Sequence, residues 1–333
     1  MTIVRQTTKG LVVVVREEGE QLDHYQRRME LVKVTKECTP LESKTLEESW
    51  LVLESKQANE VVVRDKIHEL TKNDLKRLEI LRELNGDVIN FYLHILCEAV
   101  NNLEGVDVHI MPTTFFSLLV TRGKTKNGAW TCNYAGVRRW LLLSHVLFRQ
   151  LVLYPIHVHG NHWALISVRK EPGTYDTYKV CFWDSMAIKD GWFRSTVTTR
   201  EEMDRFEEVF IKMYEKLIPE ASVYYIKYGY EVHRTPHVDH DVCDTPCPQQ
   251  NDPVSCGVFM CANAYCLVHS LNMNTFSSEE IANFFRKHMH LTLRQRSLHD
   301  LIKYPAISSD WLERFQTLSA LFFFIWEKLQ ADK

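Results

Sequence analysis

The sequence has no run of the ~18 apolar residues that a membrane-spanning helix needs, no marked excess of either charge sign, no internal repeat and no low-complexity tract. Each absence removes a class of protein. The strongest apolar run, LSALFFFIW at 318–326, is closed by Glu327 and Lys328 and reads as helix core rather than a membrane anchor. The formal net charge of -3, from 40 Lys and Arg against 43 Asp and Glu, argues against a nucleic-acid binder, which is usually clearly basic. The opening MTIVRQTTKG lacks the apolar core of a signal peptide, and no dense Lys/Arg cluster reads as a nuclear signal. A soluble, intracellular protein is expected.

A disulfide framework is also missing. The nine cysteines are odd in number and irregularly spaced, in a chain of 333 residues that is long enough to bury a substantial core without cross-links. Reduced thiols are expected, and in that setting a single cysteine with histidine and aspartate elsewhere is a candidate nucleophile.

Residues 1–65 are charged and mixed and read as a partly ordered extension, with LVVVV at 11–15 as an extra edge strand. Leucines at 75, 78, 81 and 84 give 71–84 the pattern of one helix or two short ones, capped by Thr71 or Asn73. GDVINFYLHILCEAV at 86–100 is apolar on more than one face, as in a buried helix. LVLYPIHV (151–158), HWALISVRK (162–170) and TYKVCFWD (177–184) read as strands, the last two joined through the Pro-Gly turn chemistry of EPGTYD. Helices are expected over 200–217, 257–273 and 276–293, the last capped by Ser277 or Ser278, with a loop over 230–248. Central strands with helices before and after them indicate an α+β fold.

Within QQNDPVSCGVF (249–259), Cys256 directly precedes Gly257 and an apolar helix. The positive helix end and its exposed N–H groups favour the thiolate, the nucleophilic form. Gly257 lets a substrate carbonyl approach the backbone closely. Cys261 and Cys266, inside the same helix, read as inert core thiols, and position alone leaves Cys256 open to that reading too. His162 opens one strand and Asp184 closes its partner, so a hairpin brings them together. Asp184 can then hold one ring nitrogen while the other faces the thiol. The alternative is an aspartate capping a turn and a histidine packed on Trp163. The backbone N–H of Cys256 and the side-chain amide of Gln250 are candidate donors to an oxyanion; otherwise Gln249 and Gln250 are polar loop residues.

The order HW, strand, WDSM, PQQ, CG resembles the sentrin/SUMO-specific (Ulp/SENP-type) cysteine protease family. LTKNDLKRLE, LNGDVINFYL, TTFFSLLV, GVRRWL, LVLYPIHV and FFRKHM resemble further segments of that family, so the likeness covers about 66–293. It implies a papain-like α+β fold with a central mixed sheet flanked by helices, and a C-terminal helical extension over 294–333. Carried over position by position, it implies His162 as base, Asp184 as its orienter, Gln250 as oxyanion donor and Cys256 as nucleophile. Trp163, Gly257 and Asn85 fall at substrate-binding positions, Trp163 over the substrate's diglycine tail. The implied partner is a SUMO-like modifier ending in Gly-Gly, cleaved from its precursor or from target lysines by a monomer in the nucleus or cytoplasm. No cofactor, metal, nucleic acid or membrane is implied.

The sequence departs from that family at Glu83 (usually Trp), Gly86 (usually Asp), Asp252 (commonly Asn) and Ser255 (usually Asp). These departures imply a divergent member. Alternatives are the same chemistry on a Nedd-type or ubiquitin-type modifier, or a non-catalytic modifier-binding module. His233, His237, His240, Cys243 and Cys247 raise a zinc reading, but their spacing is not a usual finger pattern, and a solvated insertion is expected.

Overall fold

The structure, a computed structural model, describes residues 4–7, 10–13, 33–34, 36–102, 107–122, 130–158, 160–170, 177–186, 200–227, 237–239, 247–299 and 301–303. The 318–326 run lies outside them, and of the five His and Cys residues at 233–247 only the Cys247 side chain lies inside. The zinc reading of that loop therefore also falls outside. Clustering of contacts separates one unit, Ile3–Val13 with Lys36–Asp300, from a second made of Met1–Thr2, Val14–Thr35 and Leu301–Lys333.

In the larger unit, β1 (Val4–Thr7) and β2 (Gly10–Val13) pair antiparallel. In the smaller unit, β3 (Lys33–Val34) pairs with residues 302–303. Helix α1 (Pro40–Glu54) starts at a capping box, Thr39 with Glu42, and has Pro40 in its first turn, where a missing N–H costs nothing. Its buried Leu46 and Leu53 place it in the larger unit's core, inside a segment the sequence reading treated only as an extension. The antiparallel pair β4 (Val61–Arg64) and β5 (Glu69–Thr71) leads into α2 (Lys72–Lys76).

Here the leucine spacing misleads. Thr71 caps α2 as expected, but the helix ends at Arg77; Leu81 takes a left-handed backbone (φ 62°) and is 70% exposed. Leu75, Leu78 and Leu84 are buried from a short helix and turns rather than from one continuous face.

Helix α3 (Gly86–Asn101) is the expected buried helix, with eight buried side chains. Asn85 caps it, its Oδ1 accepting from Val88 N at 3.2 Å, while its Nδ2 donates to Asp74 Oδ1 at 2.7 Å. Then follow β6 (Val108–Ile110), α4 (Thr114–Leu119), the antiparallel pair β7 (Val120–Arg122) and β8 (Trp130–Cys132), and α5 (Tyr134–Leu143).

The expected strands are β9 (Leu151–Val158), β10 (His162–Lys170) and β11 (Thr177–Trp183). They pair antiparallel, with Val158 opposite His162 and Leu165 opposite Trp183. Helix α6 (Arg200–Lys227) is longer than expected. The 230–248 segment is not all loop, because β12 (His237–Asp239) adds to β11 in parallel. With β6 parallel to β9, the sheet order is β12-β11-β10-β9-β6, a mixed sheet. Pro155 lies beyond Leu153, the last β9 residue that β6 pairs with, so β9 is an edge there and tolerates a missing N–H.

Alternate strand residues (Tyr154, Ile156, Ala164, Ile166, Val180, Phe182) join Phe115, Phe206 and Phe210 of α4 and α6 in one core. Helix α7 (Cys256–Val268) has all thirteen residues buried, as expected of a helix apolar on every side, and it packs against β10 and α3. Ser277 caps α8 (Ser278–Glu280); a π-helical turn, Ile281–Phe285, joins it to α9 (Arg286–Gln295). The last strand is β13 (Ile302–Lys303). Among the described residues, no helix is long and apolar enough to cross a membrane.

Asn85→Ala removes the α3 cap and the link to α2 together. It is expected to cost about 1–2 kcal/mol in a denaturant melt with unchanged m-value.

Candidate active site

The turn between β9 and β10 uses Gly160 at φ +80°, a conformation that side chains disfavour, and it delivers His162 to the start of β10. By the register that sets Leu165 opposite Trp183, Asp184 faces Ala164 and lies diagonal to His162 on the same face. The diagonal is short enough for His162 Nε2 to meet Asp184 Oδ1 at 2.8 Å, with both side chains essentially sealed from solvent (2% and 0% exposed). Oδ1 also accepts from Met186 N at 2.7 Å, while Oδ2 is buried without a hydrogen bond. Burial disfavours a charged imidazole. Hydrogen bonding and charge from Asp184 and Cys256 outweigh it and raise the His162 pKa from 6.5 to about 10. Nδ1 has no hydrogen bond of standard geometry.

The glutamine pair divides its work. Gln249 Nε2 donates to the carbonyls of Asp184 and Cys247, both at 3.0 Å, and so clamps the 247–250 segment to the end of β11. Gln250 N donates to the Ser185 carbonyl at 2.9 Å, and the Ser185 hydroxyl donates to Gln250 Oε1 at 2.6 Å. Gln250 Nε2 donates to the carbonyl of Asp252 at 2.6 Å. A carbonyl can only accept, so the orientation of the amide is fixed. One of its two hydrogens is used by Asp252, which leaves the second as a donor. Ser185 is a positioning residue that the sequence reading missed, although it is the S of WDSM.

Asp252 and Ser255, which depart from the family pattern, both have structural partners. Asp252 Oδ1 accepts from the N–H groups of Val254 and Ser255, each at 2.8 Å, and so shapes the turn that presents Cys256. Ser255 Oγ accepts from Arg286 Nη2 at 3.1 Å. Arg286 is 1% exposed and spends its other donors on the carbonyls of Ala282 and Arg77. Burial lowers its pKa, and the charges of Asp252 and Cys256 oppose that shift. No carboxylate among the described residues lies within ion-pair distance of it.

Cys256 stands in the first turn of α7, where backbone N–H groups lack intrahelical acceptors. Gly257 meets a packing demand of its own. A Cβ there would lie 3.1 Å from Leu84 Cβ, 3.2 Å from Trp163 Cδ1 and 3.3 Å from Ile89 Cδ1, so the glycine lets α7 approach Trp163. Trp163 donates from Nε1 to the Leu84 carbonyl at 3.1 Å and stacks on His157 with ring centroids 4.2 Å apart. Burial lowers the His157 pKa; the neighbouring His162 charge adds to this and Glu83 opposes it. Asn85 is engaged as the α3 cap, and it adjoins the Leu84 carbonyl that holds Trp163. The one described group of three metal-ligating side chains includes none of these residues. The cluster unites a buried imidazole–carboxylate pair, a thiol at a helix start and an oriented amide, which are the parts that acyl transfer to sulfur needs.

A mixed sheet flanked by helices, with a cysteine opening the central helix and a histidine opening a sheet strand, is the architecture of the papain-like α+β class. The chain belongs to the Ulp1 protease family, whose C-terminal catalytic domain matches residues 82–300. Sentrin-specific protease 2 of Homo sapiens is 25% identical over 232 residues, 69% of this chain and 33% of that protein. A sentrin-specific protease of Caenorhabditis elegans is 29% identical over 119 residues, covering 35% of this chain and 15% of the relative. Sentrin-specific protease 5 of Mus musculus is 33% identical over 121 residues, 36% and 14% respectively. The chain thus spans a third or less of the length of these relatives. Among solved structures, the C-terminal Ulp1 protease domain in complex with Smt3, the yeast ortholog of SUMO, superposes with TM-score 0.51 at 20% identity, over 79% of this chain and 98% of that one. The catalytic domain of the Ulp1-like SUMO protease of Chaetomium thermophilum gives TM-score 0.55 at 18% identity, over 86% and 96%. These two likenesses establish the expected fold.

Two outcomes test the geometry. Gly257→Ala forces three packed neighbours apart and should cost about 1–3 kcal/mol of stability, read by denaturant unfolding. The second concerns His162. Its folded pKa is raised, so its contribution is complete below pH 6.5 and is lost as pH climbs to about 10. The stability gap between wild type and His162→Gln should therefore shrink across that window; a gap constant with pH would contradict the charged pair.

Proposed function

We propose that this chain is a thiol protease and isopeptidase that cuts after the C-terminal Gly-Gly of a SUMO-like modifier. The observation that carries the reading is the buried His162–Asp184 hydrogen bond, set beside Cys256 and the oriented amide of Gln250. Membership of the Ulp1 protease family and the names of its relatives support a SUMO-like modifier. The domain responsible is taken as residues 66–293, acting as a monomer.

The steps follow from the residues. His162 takes the Cys256 proton or stabilises its thiolate, and the sulfur attacks the carbonyl carbon of the modifier's last glycine. The carbonyl electron pair moves onto oxygen, where the Cys256 N–H and the second hydrogen of the Gln250 amide receive it. The tetrahedral intermediate collapses, the C–N bond breaks, and His162 gives its proton to the leaving amine. Water, deprotonated by His162, then attacks the thioester, and the sulfur leaves as thiolate. Trp163, held by Leu84 and His157, offers a flat wall to a chain with no side chains, which suits diglycine. By resemblance to that family, the chain works in the nucleus or the cytoplasm.

Cys256→Ala should abolish cleavage of a SUMO tail fusion while leaving the melting temperature close to wild type. Full activity in that variant would refute the assignment. The same assay with Nedd-type and ubiquitin tail fusions identifies the modifier. A modifier probe with a C-terminal electrophile should become covalently attached at Cys256; tight but purely reversible binding would favour a binding module instead.

A further inference from the structure

A second cluster of polar side chains lies outside the site above, where the β4–β5 connection meets the middle of α3. Asp65 and His68 come from the connection, three residues apart. His94 and Glu98 come from one face of α3, four residues apart. The ligand atoms of Asp65, His68 and His94 all lie within 4.8 Å of one another.

The distances have a pattern. His68 Nδ1 stands 3.6 Å from Asp65 Oδ2, His94 Nε2 stands 4.0 Å from the same oxygen, and Glu98 Oε1 lies 3.5 Å from His94 Nε2. Direct hydrogen bonds would close to about 2.7–3.2 Å. Atoms bound at about 2.0–2.2 Å around a tetrahedral ion lie about 3.3–3.6 Å apart; the 3.5 and 3.6 Å gaps match that spacing and the 4.0 Å gap is wider.

The partners of each group agree. Asp65 Oδ1 is spent on the N–H groups of Ile67 and His68, both at 2.6 Å, so Oδ2 is turned toward the two rings. His68 Nδ1 is buried and makes no hydrogen bond. Its ring is fixed by stacking on Phe91 (5.1 Å) and by the tilted ring of His94 (4.8 Å). His68, His94 and Glu98 line a cleft of about 600 Å³, which gives an ion and its water a way in.

We propose that Asp65, His68 and His94 bind one divalent first-row cation, zinc by the chemistry of the set, with water in the remaining position and Glu98 beside His94. Two imidazoles with a carboxylate suit zinc rather than calcium or magnesium, which prefer all-oxygen shells. The ion would cross-link the β4–β5 connection to α3 and offset the Asp65 charge.

The test uses the full chain with Cys256→Ala throughout, so that the catalytic thiol cannot compete. Zinc chloride titrated calorimetrically should bind at one equivalent and raise the melting temperature. His68→Ala and His94→Ala should each weaken that binding by more than about 100-fold, since even outer-shell groups are worth about 10–100-fold. Cobalt chloride provides a reading independent of variants: a site of this composition gives visible d–d bands without near-ultraviolet thiolate charge transfer. Unchanged zinc affinity in both histidine variants, no binding at a hundredfold excess of zinc, or a thiolate band with cobalt would overturn the proposal.

Discussion

The hydrogen bond between His162 and Asp184 makes the greatest demands on the rest of the fold. Both groups are sealed from water, and a buried charge is tolerated only when it is paired and hydrogen-bonded. The pair therefore needs a register that sets the two side chains diagonally across β10 and β11, and a turn at Gly160 that starts β10 at the right residue. A one-residue slip of that register would turn one member to the opposite face of the sheet. The core of Tyr154, Ile166, Val180 and Phe210 fixes the register by burying alternate residues of the same strands.

The second constraint concerns how the thiol reaches that pair. Helix α7 is buried along its whole length, so its start can be placed only by what surrounds it. Gly257 allows contact with Trp163 and Leu84, Trp163 is tied to the Leu84 carbonyl, and Leu84 stands next to the Asn85 cap of α3. From the other side, Gln249 and Ser185 bind the 247–250 segment to the end of β11. The candidate nucleophile, base and oxyanion donor are thus held by contacts from four separate parts of the chain.

This division explains what the sequence could disclose. Features with local causes were legible: the apolar runs at 151–158 and 162–170 are strands at those limits, and 86–100 is a buried helix with its expected character. The capping box of Thr39 and Glu42 was equally local and marks α1, yet the charged, mixed composition around it suggested only an extension. At 71–84 the leucine periodicity was real, but an early stop at Arg77 and a left-handed Leu81 bury most of those leucines without one continuous helix. What could not be read was non-local. Ser185 meets Gln250 across 65 residues, and Trp163 meets Leu84 across 79. β12 joins the sheet in parallel from within a proline-bearing segment that carries no strand pattern.

Arg286 shows how far a departure at one position can reach. Its guanidinium is buried with three acceptors, all of them neutral: two carbonyls and the Ser255 hydroxyl. A carboxylate at position 255 would satisfy this cation more strongly, but it would also set a fixed negative charge next to Cys256. With a hydroxyl there, the positive charge of Arg286 is less neutralised, and the carboxylate of Asp252 and the sulfur of Cys256 are the groups whose charge acts on it. Ser255 thus gives up an ion pair beneath the candidate nucleophile and leaves a buried cation held by neutral acceptors. The buried arginine therefore depends on the neutral acceptors around it and on the charge of Asp252, the same carboxylate that shapes the turn presenting Cys256.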